Sequence, residues 1–330
     1  MREIRNFVFR NTRELVLFFL IILISFFVQI RTSGTFLTFQ NIYDLFREAS
    51  ILVMVSMGMM VVILTKGIDL SIGSIMGLSG MLGALTLQAN RNIPLLLLFL
   101  LSISIGIICG IINGLIVAGL RIFPLIATLS TEYIFRGTIY LFSHGYWVPQ
   151  ADMTPEFIAI TITNILGINL LVWIALIIFL LFAIFFRYTQ PGRYVYAVGN
   201  SEQAAATTGI NIFKTKMMVY ILCGTICGLA GLLWVCKYGN AQSESCKGYE
   251  ISVIAAVVLG GCSIRGGIGS VLGVLEGALI ISILNNSLPL IQVSTYWQMA
   301  IRGFIIIISV VINAMTQRRI HAMALKKRAI

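Results

Sequence analysis

Charged residues, histidines and long polar segments are all scarce in this sequence. Asp, Glu, Lys and Arg together make up only 11% of the 330 residues, whereas a soluble domain carries about 25%. The polar segment 187–215 is too short to form a soluble catalytic domain, since domains usually exceed about 50 residues. These shortages exclude an ordinary soluble protein and leave no room for a nucleic-acid-binding module.

Residues that usually carry catalysis or bind metals are equally few. The only histidines are His144 and His321, the six cysteines form no CxxC pair, and no GxxxxGK[ST] phosphate loop occurs. Cys223 and Cys227 lie one helical turn apart in an apolar run, where we interpret them as packing residues rather than a metal or redox site. We therefore expect no catalytic residue, metal or cofactor in this chain.

Hydrophobic residues are abundant instead, at 58%. Apolar runs of 16 to 28 residues recur along the chain, and about 20 residues suffice to cross the hydrocarbon core of a bilayer. We predict an all-α membrane protein with one transmembrane domain, residues 1–330, because helices satisfy their own backbone groups in lipid. The ten predicted spans are 15–30, 49–65, 70–88, 93–120, 122–143, 168–186, 216–236, 251–264, 268–285 and 298–316.

The net charge of +11 is unevenly distributed along the chain. With the N-terminus inside, 16 of the 23 Lys and Arg residues fall on the cytoplasmic side, as the positive-inside bias requires. We therefore predict that both termini are cytoplasmic. The basic start, MREIRNFVFRNTRE, is interpreted as the flank of a retained first anchor, since no cleavage site follows it.

A polar segment, LTKGIDLSIGS at residues 64–74, interrupts two apolar runs. One interpretation is a helix start, in which Asp69 and Ser71 cap the next helix. The other is a broken helix beside a translocation path, since breaks at membrane depth are tolerated where they line a cavity. Both interpretations place Asp69 at a structurally important position.

This segment is weakly similar to a second segment of the same chain. Residues 61–77 align without gaps with residues 257–273, which is compatible with an internal duplication of the kind found in transporters. The alignment gives Asp69 and Arg265 equivalent positions with opposite charge. We hypothesise that they form an ion pair across a closed inner gate.

Other ionisable residues within the spans suggest further pairs, because isolated charges are costly in a membrane. Glu132 and Arg136 have the i, i+4 spacing of an ion pair on one helix. Glu276 and Arg302 lie in the last two predicted spans and are candidates for a pair between helices. Such pairs serve either helix insertion or a substrate site.

Polar and aromatic side chains in apolar surroundings are candidates for the translocation path. Asn113, Asn285 and Asn286 could hydrogen-bond a sugar-like solute, and Trp297 could stack on its apolar face. The alternative role of each asparagine is a hydrogen bond between helices.

The predicted inner loop, residues 187–215, carries a helix that the membrane does not require. Pro191 and Gly192 indicate a turn. Asn200 or Ser201 is predicted to cap a short helix that ends near residue 209. The helix lies on the membrane surface or docks another protein, and we favour docking.

Four motifs, in order along nearly the whole chain, resemble the permease subunits of ribose-type carbohydrate ABC importers. GIDLSIGS resembles that family's GIDLSVGS. The other three are GRYVYAVGNSEQAAATTGIN, GYEISVIAAVVLGGCSIRGGIGSVLG and LNNSLPLIQVSTYWQM.

The resemblance implies a ten-span subunit of the bacterial inner membrane that pairs with a second permease subunit. It further implies cytoplasmic ATPase subunits, which bind ATP and Mg²⁺, and an extracytoplasmic sugar-binding protein. The resemblance assigns the ATPase-coupling role of the inner loop to Arg193, Glu202, Ala205 and Gly209. The expected substrate is a monosaccharide or small polyol, with ribose, rhamnose, autoinducer-2, allose and xylose as the alternatives.

Three positions depart from the family pattern, namely Val198, Arg265 and Ile268. Arg265 and Ile268 change the distribution of charge at the hypothesised inner gate. A different class of function is a stand-alone secondary transporter or channel. Its coupling ion would need Asp69, Glu132 or Glu276.

Overall fold

A computed structural model describes residues 12–294, 296–301, 303, 304, 307, 308 and 311 of the protein. The helices are α1 (Thr12–Arg31), α2 (Phe39–Leu64), α3 (Ile72–Ala89), α4 (Leu95–Gly114), α5 (Pro124–Ser143), α6 (Pro155–Ala159), α7 (Leu170–Tyr188), α8 (Gln190–Asn200), α9 (Glu202–Thr207), α10 (Ile212–Tyr238), α11 (Tyr249–Leu259) and α12 (Val271–Leu290). A π-helical turn, Leu115–Gly119, continues α4, and Gln150–Asp152 forms a 3₁₀ turn. Between α6 and α7 lies a short antiparallel hairpin of β1 (Asn164–Ile165) and β2 (Ile168–Asn169).

The helices confirm the prediction of an all-α, multi-pass membrane protein. In the described part of the chain, seven helices are long and apolar enough to cross a membrane, namely α1, α2, α3, α4 with its π-helical turn, α7, α10 and α12. Helix α5 coincides with the predicted span 122–143. The predicted span 298–316 lies largely outside the described residues, as do the two termini, so the count of ten and the cytoplasmic termini stay predictions.

The surface of α1 shows the apolar character expected of a lipid-facing helix. Phe19 is 68% exposed and Phe26 is 63% exposed, and such a wide apolar surface is not stable in water. The opposite side of α1 packs on α12, where Val28, Phe36 and Ile283 form a small buried cluster. Lipid is therefore the natural solvent for this outer face.

Helix α10 forms the centre of the bundle and packs against α2, α3 and α4. Glycines set the distance between α10 and α4. A Cβ atom added to Gly106 would lie 2.1 Å from the carbonyl oxygen of Gly224, and one added to Gly228 would lie 2.3 Å from that of Ser102. Small residues at helix contacts let backbones approach closely and gain van der Waals packing where no hydrophobic effect operates.

Helix α11 corrects one predicted span. It has 11 residues, which reach only about 16 Å at 1.5 Å per residue, roughly half the hydrocarbon thickness. The preceding segment 240–248 is mostly non-helical and lies beside α3 rather than beyond its end. A Cβ atom on Gly73 would approach the Cys246 carbonyl oxygen to 2.5 Å, and one on Gly77 would approach that of Ser245 to 3.0 Å. The predicted span 251–264 is therefore a half-length helix.

The two segments that align in sequence have similar local structure. A helix ends, the backbone is irregular for several residues, and a new helix starts, both between α2 and α3 and between α11 and α12. The duplication itself stays a prediction.

Candidate functional site

The first break in the helices follows α2. Lys66 has a positive φ of 64°, and the N–H groups of Lys66 and Gly67 bond the carbonyl oxygens of Ile63 and Val62 at 3.0 Å each. These bonds satisfy carbonyl groups that the helix end leaves free. Gly67 is required because a Cβ atom there would lie 2.8 Å from the Tyr220 hydroxyl and 2.9 Å from Val62.

A buried polar network occupies this break, with Asp69 at its centre. The Asp69 Oδ1 accepts hydrogen bonds from the Ser71 N–H at 2.9 Å and from the Ser71 hydroxyl at 2.6 Å. The Asn113 amide donates to Asp69 Oδ2 at 3.3 Å and to the Ser71 Oγ at 2.8 Å. Thr131 on α5 donates to the Asn113 Oδ1 at 2.7 Å. A buried carboxylate is tolerated only with such partners.

The network brings Asp69, Ser71 and Asn113 together, while their place on a translocation path stays a prediction. Ser71 is the N-cap residue of α3 and makes no side-chain capping bond. Asp69 accepts from Ser71 rather than from the first turn of α3, so the predicted capping is wrong. Thr131 was not anticipated, since a threonine in an apolar run carries no distinctive signal.

Tyr220, at the edge of the same break, was not among the site residues predicted from the sequence. Its side chain is 1% exposed, and its hydroxyl has no hydrogen-bond partner among the described residues. Buried polar groups without partners are rare in native structures. This hydroxyl lies against Gly67, at the edge of the break.

The second break contacts the first through the end of α8. The Gly267 N–H donates to the Leu64 carbonyl oxygen at 3.0 Å. A Cβ atom on Gly199 would lie 1.8 Å from that same oxygen and 2.6 Å from the Gly267 nitrogen, and one on Gly266 would lie 2.9 Å from the Leu64 oxygen. Leu64, Gly199, Gly266 and Gly267 are called the glycine junction below. Through it, α8 touches both breaks at once.

Helix α8 corrects the predicted turn at Pro191 and Gly192. The Thr189 side chain caps the helix by accepting from the Gly192 N–H at 3.1 Å. Proline in the first turn is compatible with a helix because its missing N–H would have no intrahelical partner there.

Helix α9 confirms the predicted short helix. The Ser201 Oγ accepts from the Ala204 N–H at 3.2 Å, and Gly209 ends the helix with a φ of 81°. Glu202 pairs with Lys216 of α10 at 2.8 Å. Among the predicted coupling residues, Ala205 is buried, whereas Arg193 and Gly209 are exposed.

Arg265 does not join the Asp69 network. It is exposed, and the ion pairs among the described residues do not include it with Asp69. The hypothesised pair is therefore wrong for this conformation, because Asp69 is already satisfied by Ser71 and Asn113.

The two other ion pairs predicted from the sequence join Glu132 to Arg136 and Glu276 to Arg302. Arg136 donates to the backbone carbonyl oxygens of Ser243 and Ser245 at 2.8 Å each, and the described ion pairs do not include it with Glu132. That prediction is wrong, since the guanidinium instead bonds two carbonyl groups of a segment distant in sequence. The pair of Glu276 with Arg302 lies outside the described residues at Arg302.

The remaining path candidates lie apart from Asp69 and make no hydrogen bond to its network within the described chain. Asn286 exchanges amide hydrogen bonds with Asn41 at 3.1 and 3.2 Å, which matches the alternative of a bond between helices. Asn285 lines a separate cavity of about 290 Å³. Trp297 is 68% exposed. No cluster of three or more His, Cys, Asp and Glu residues in the described part of the chain could hold a metal ion.

Irregular backbone enclosed by lipid-facing helices is tolerated where it is buried in protein or borders a cavity, as it is in the selectivity filters of channels and the broken helices of transporters. The architecture is therefore that of a membrane protein of this transport class. A family model described as "Branched-chain amino acid transport system / permease component" matches residues 41–310, and the chain belongs to this permease family.

The chain is also similar in sequence to curated permease proteins of sugar import systems. The chain is 37% identical over 286 residues to the ribose import permease protein RbsC of Escherichia coli (strain K12), covering 85% of this chain and 88% of the relative. It is 31% identical to the autoinducer 2 import system permease protein LsrC of Enterobacter sp. (strain 638), covering 93% and 89%. It is 33% identical to the D-allose transport system permease protein AlsC of Escherichia coli (strain K12), covering 91% of each. No solved structure matches the chain. The resemblance seen in the four motifs is thereby confirmed.

Proposed function

We propose that this protein is a permease subunit of an ABC importer that takes up a monosaccharide or related small polyol. It provides the path by alternating access, and a partner ATPase binds ATP and Mg²⁺ and drives the cycle. The bacterial inner membrane is the proposed location, with α8 and α9 on the cytoplasmic side. The printed names of the relatives, which include ribose, D-allose and autoinducer 2 import, support this substrate class.

The observation that carries the proposal is the glycine junction. Packed interfaces transmit displacement because they have discrete arrangements and little free volume. With no space for even a methyl group between Gly199 and Leu64, movement of α8 must move the end of α2, the Gly266–Gly267 backbone, or both. A force applied to α9 can thus reach both breaks.

Helix α9 is suited to receive a partner. Gln203, Ala204, Ala206 and Thr207 are exposed, and Gln203 and Ala206 also line a cavity of about 620 Å³ beside Arg121. The proposed occupant is the cytoplasmic ATPase subunit. An extracytoplasmic sugar-binding protein and a second permease subunit are the other proposed partners, by analogy with ABC importers.

A crosslinking experiment tests the coupling. The six native cysteines are buried, so Ala206→Cys introduces one accessible thiol on α9. We expect it to crosslink to the co-expressed ATPase subunit in an ATP-dependent manner. The matched control is Tyr146→Cys, whose side chain is 76% exposed in the loop after α5, and it should give no such product.

Transport in proteoliposomes provides the second readout. Uptake of radiolabelled ribose, D-allose, D-galactose, L-rhamnose or xylose should require both the ATPase subunit and ATP. Uptake that persists without the ATPase would contradict the proposal and favour a stand-alone transporter or channel.

A further inference from the structure

A cavity of about 450 Å³ lies at the end of α10 farthest from α9. Helix α10 has 27 residues, so its two ends are about 40 Å apart at 1.5 Å per residue. The cavity is lined by the last turn of α10, the segment 240–248 and the first turn of α11. Its volume falls within the usual range for small-molecule sites, about 300–1,000 Å³.

Three aromatic rings form one wall of the cavity. The centroid of the Trp234 ring lies 4.5 Å from that of Tyr238 and 5.1 Å from that of Tyr249, at interplanar angles of 45° and 73°. The Tyr238 hydroxyl donates to Glu48 at 3.0 Å, and the Lys237 ammonium, itself paired with Glu48, lies 4.8 Å from the Tyr238 ring centroid. Tyr238 is therefore held in place before any ligand arrives.

The lining of the cavity also offers polar groups that the protein leaves unused. In the described structure, the Trp234 indole N–H, the Gln242 amide, the Tyr249 hydroxyl and the Ser252 hydroxyl make no hydrogen bond, although all four residues line the cavity. A small number of placed donors and acceptors beside apolar surface is the usual composition of a ligand site. Together with flat aromatic faces, they match a compact ring that bears hydroxyl groups.

The segment 240–248 is held on several sides, so the cavity is preformed. Arg136 bonds the carbonyl oxygens of Ser243 and Ser245 at 2.8 Å, and Ser143 bonds the Ser243 hydroxyl at 3.0 Å. Preorganisation of this kind lowers the entropic cost of binding.

The cavity also lies where a helix is interrupted. The segment 240–248 runs beside α3, and α11 starts at the cavity with Gly248 as its N-cap residue. Transporters build solute sites from interrupted helices and the half-helices that follow them. The polar sequence AQSESCKG before α11 is thus explained as cavity lining rather than as an ordinary external loop.

We propose that this cavity binds one monosaccharide ring on the translocation path, with Trp234 and Tyr249 contacting its apolar face and Gln242 and Ser252 selecting among its hydroxyl groups. The inference rests on the proposed function, because it assigns the solute site of the same permease. It places that site away from Asp69 and next to the smaller cavity that Asn285 lines, with which it shares Lys247, Gly248 and Ser252.

Uptake kinetics of the full complex in proteoliposomes test the assignment with the five-sugar panel named above. Trp234→Leu should raise KM or lower the maximal uptake rate of the transported sugar by about tenfold, since a stacking face and its buried area are lost. Co-purification with the ATPase subunit checks that this variant still assembles. Trp234→Tyr should recover most of the uptake.

The matched control is Trp173→Leu, because that indole lies on α7 and bonds the Ile165 carbonyl oxygen outside the cavity. It should leave KM unchanged. Gln242→Ala and Ser252→Ala should alter the ratio of uptake rates among the panel sugars, an effect that a merely structural role would not produce. These two variants decide the question if Trp234→Leu fails to assemble.

The possible outcomes separate the two proposals. If the wild-type complex imports a panel sugar with ATP but the Trp234, Gln242 and Ser252 variants retain its KM, rate and sugar preference, the assignment of the cavity is overturned and the proposed function stands. If the assembled wild-type complex imports neither a sugar of the panel nor autoinducer 2, the proposed function itself fails.

Discussion

The carbonyl oxygen of Leu64 accepts a 3.0 Å hydrogen bond from the N–H of Gly267. This bond joins the end of α2 to the segment before α12, although the two partners lie 203 positions apart along the chain. Gly199 packs onto the same oxygen, so one atom is shared by both helix breaks and by α8. The contact between the two breaks is therefore made by backbone atoms, which side-chain chemistry alone would not reveal.

Substitution of Gly199 by alanine tests this contact. The added Cβ atom would lie 1.8 Å from the Leu64 oxygen, so α8 must shift away from both breaks. We expect a destabilisation of about 1–3 kcal/mol, the usual cost of overpacking, and a larger loss of ATP-driven uptake than of basal ATPase activity. The control is Gly137→Ala on α5, where an added Cβ atom meets nothing within 4 Å. Equal behaviour of the two variants would contradict the junction's role.

The Asp69 network predicts a specific double-mutant result. Asp69→Asn places an amide N–H₂ group against the amide of Asn113, and Asn113→Asp places two carboxylates together, so each single change should lower thermal stability. The exchange Asp69→Asn with Asn113→Asp restores one carboxylate and one amide. It should recover at least about 0.5 kcal/mol relative to additivity, as coupled contacts do.

Thermal unfolding of the four proteins in detergent measures this coupling. Strict additivity of the two single changes would show that Asp69 and Asn113 do not interact. Thr131→Val is a useful companion, because it removes the donor to Asn113 Oδ1 with little change of shape.

Much of the architecture could be predicted from the sequence, because long apolar runs and capping residues are local signals. The helices near the first seven predicted spans, the helix near the predicted span 268–285 and the Ser201 cap of α9 are examples. The i, i+4 spacing of Glu132 and Arg136, in contrast, shows only that two residues can meet. Arg136 instead bonds carbonyl groups of Ser243 and Ser245, which lie more than 100 positions away along the chain.

The missed features share a physical cause. The half-length of α11 and the contact of Gly199 with Leu64 both depend on backbone packing between distant segments. A single sequence records glycine there but not the atom that the glycine faces.

The ion pair between Glu202 and Lys216 should matter more for coupling than for stability. The side chains are 39% and 18% exposed, and pairs of this kind contribute only about 0.2–1 kcal/mol. Glu202→Ala should therefore change thermal stability little but reduce ATPase stimulation by a loaded binding protein, since α9 loses its link to α10. The charge exchange Glu202→Lys with Lys216→Glu should restore stimulation. Loss of stimulation in the exchange as well would indicate that Glu202 contacts the ATPase directly.

The loop beside the α10 cavity gives a pH prediction. Hydrogen bonds from Lys247 and Tyr140 lower the pKa of Glu244 below its ordinary value of 4.5, and the bond to Glu244 raises the pKa of Lys247 above 10.5. Because the folded-state pKa of Glu244 is depressed, its stabilising contribution is present above pH 4.5 and is lost as the pH falls through the lower folded value. The difference in Tm between the wild type and Glu244→Gln should thus be constant from about pH 5.5 to 8 and shrink below pH 4.5. A difference that changes between pH 6 and 7 would contradict this ion pair and point to another titrating group.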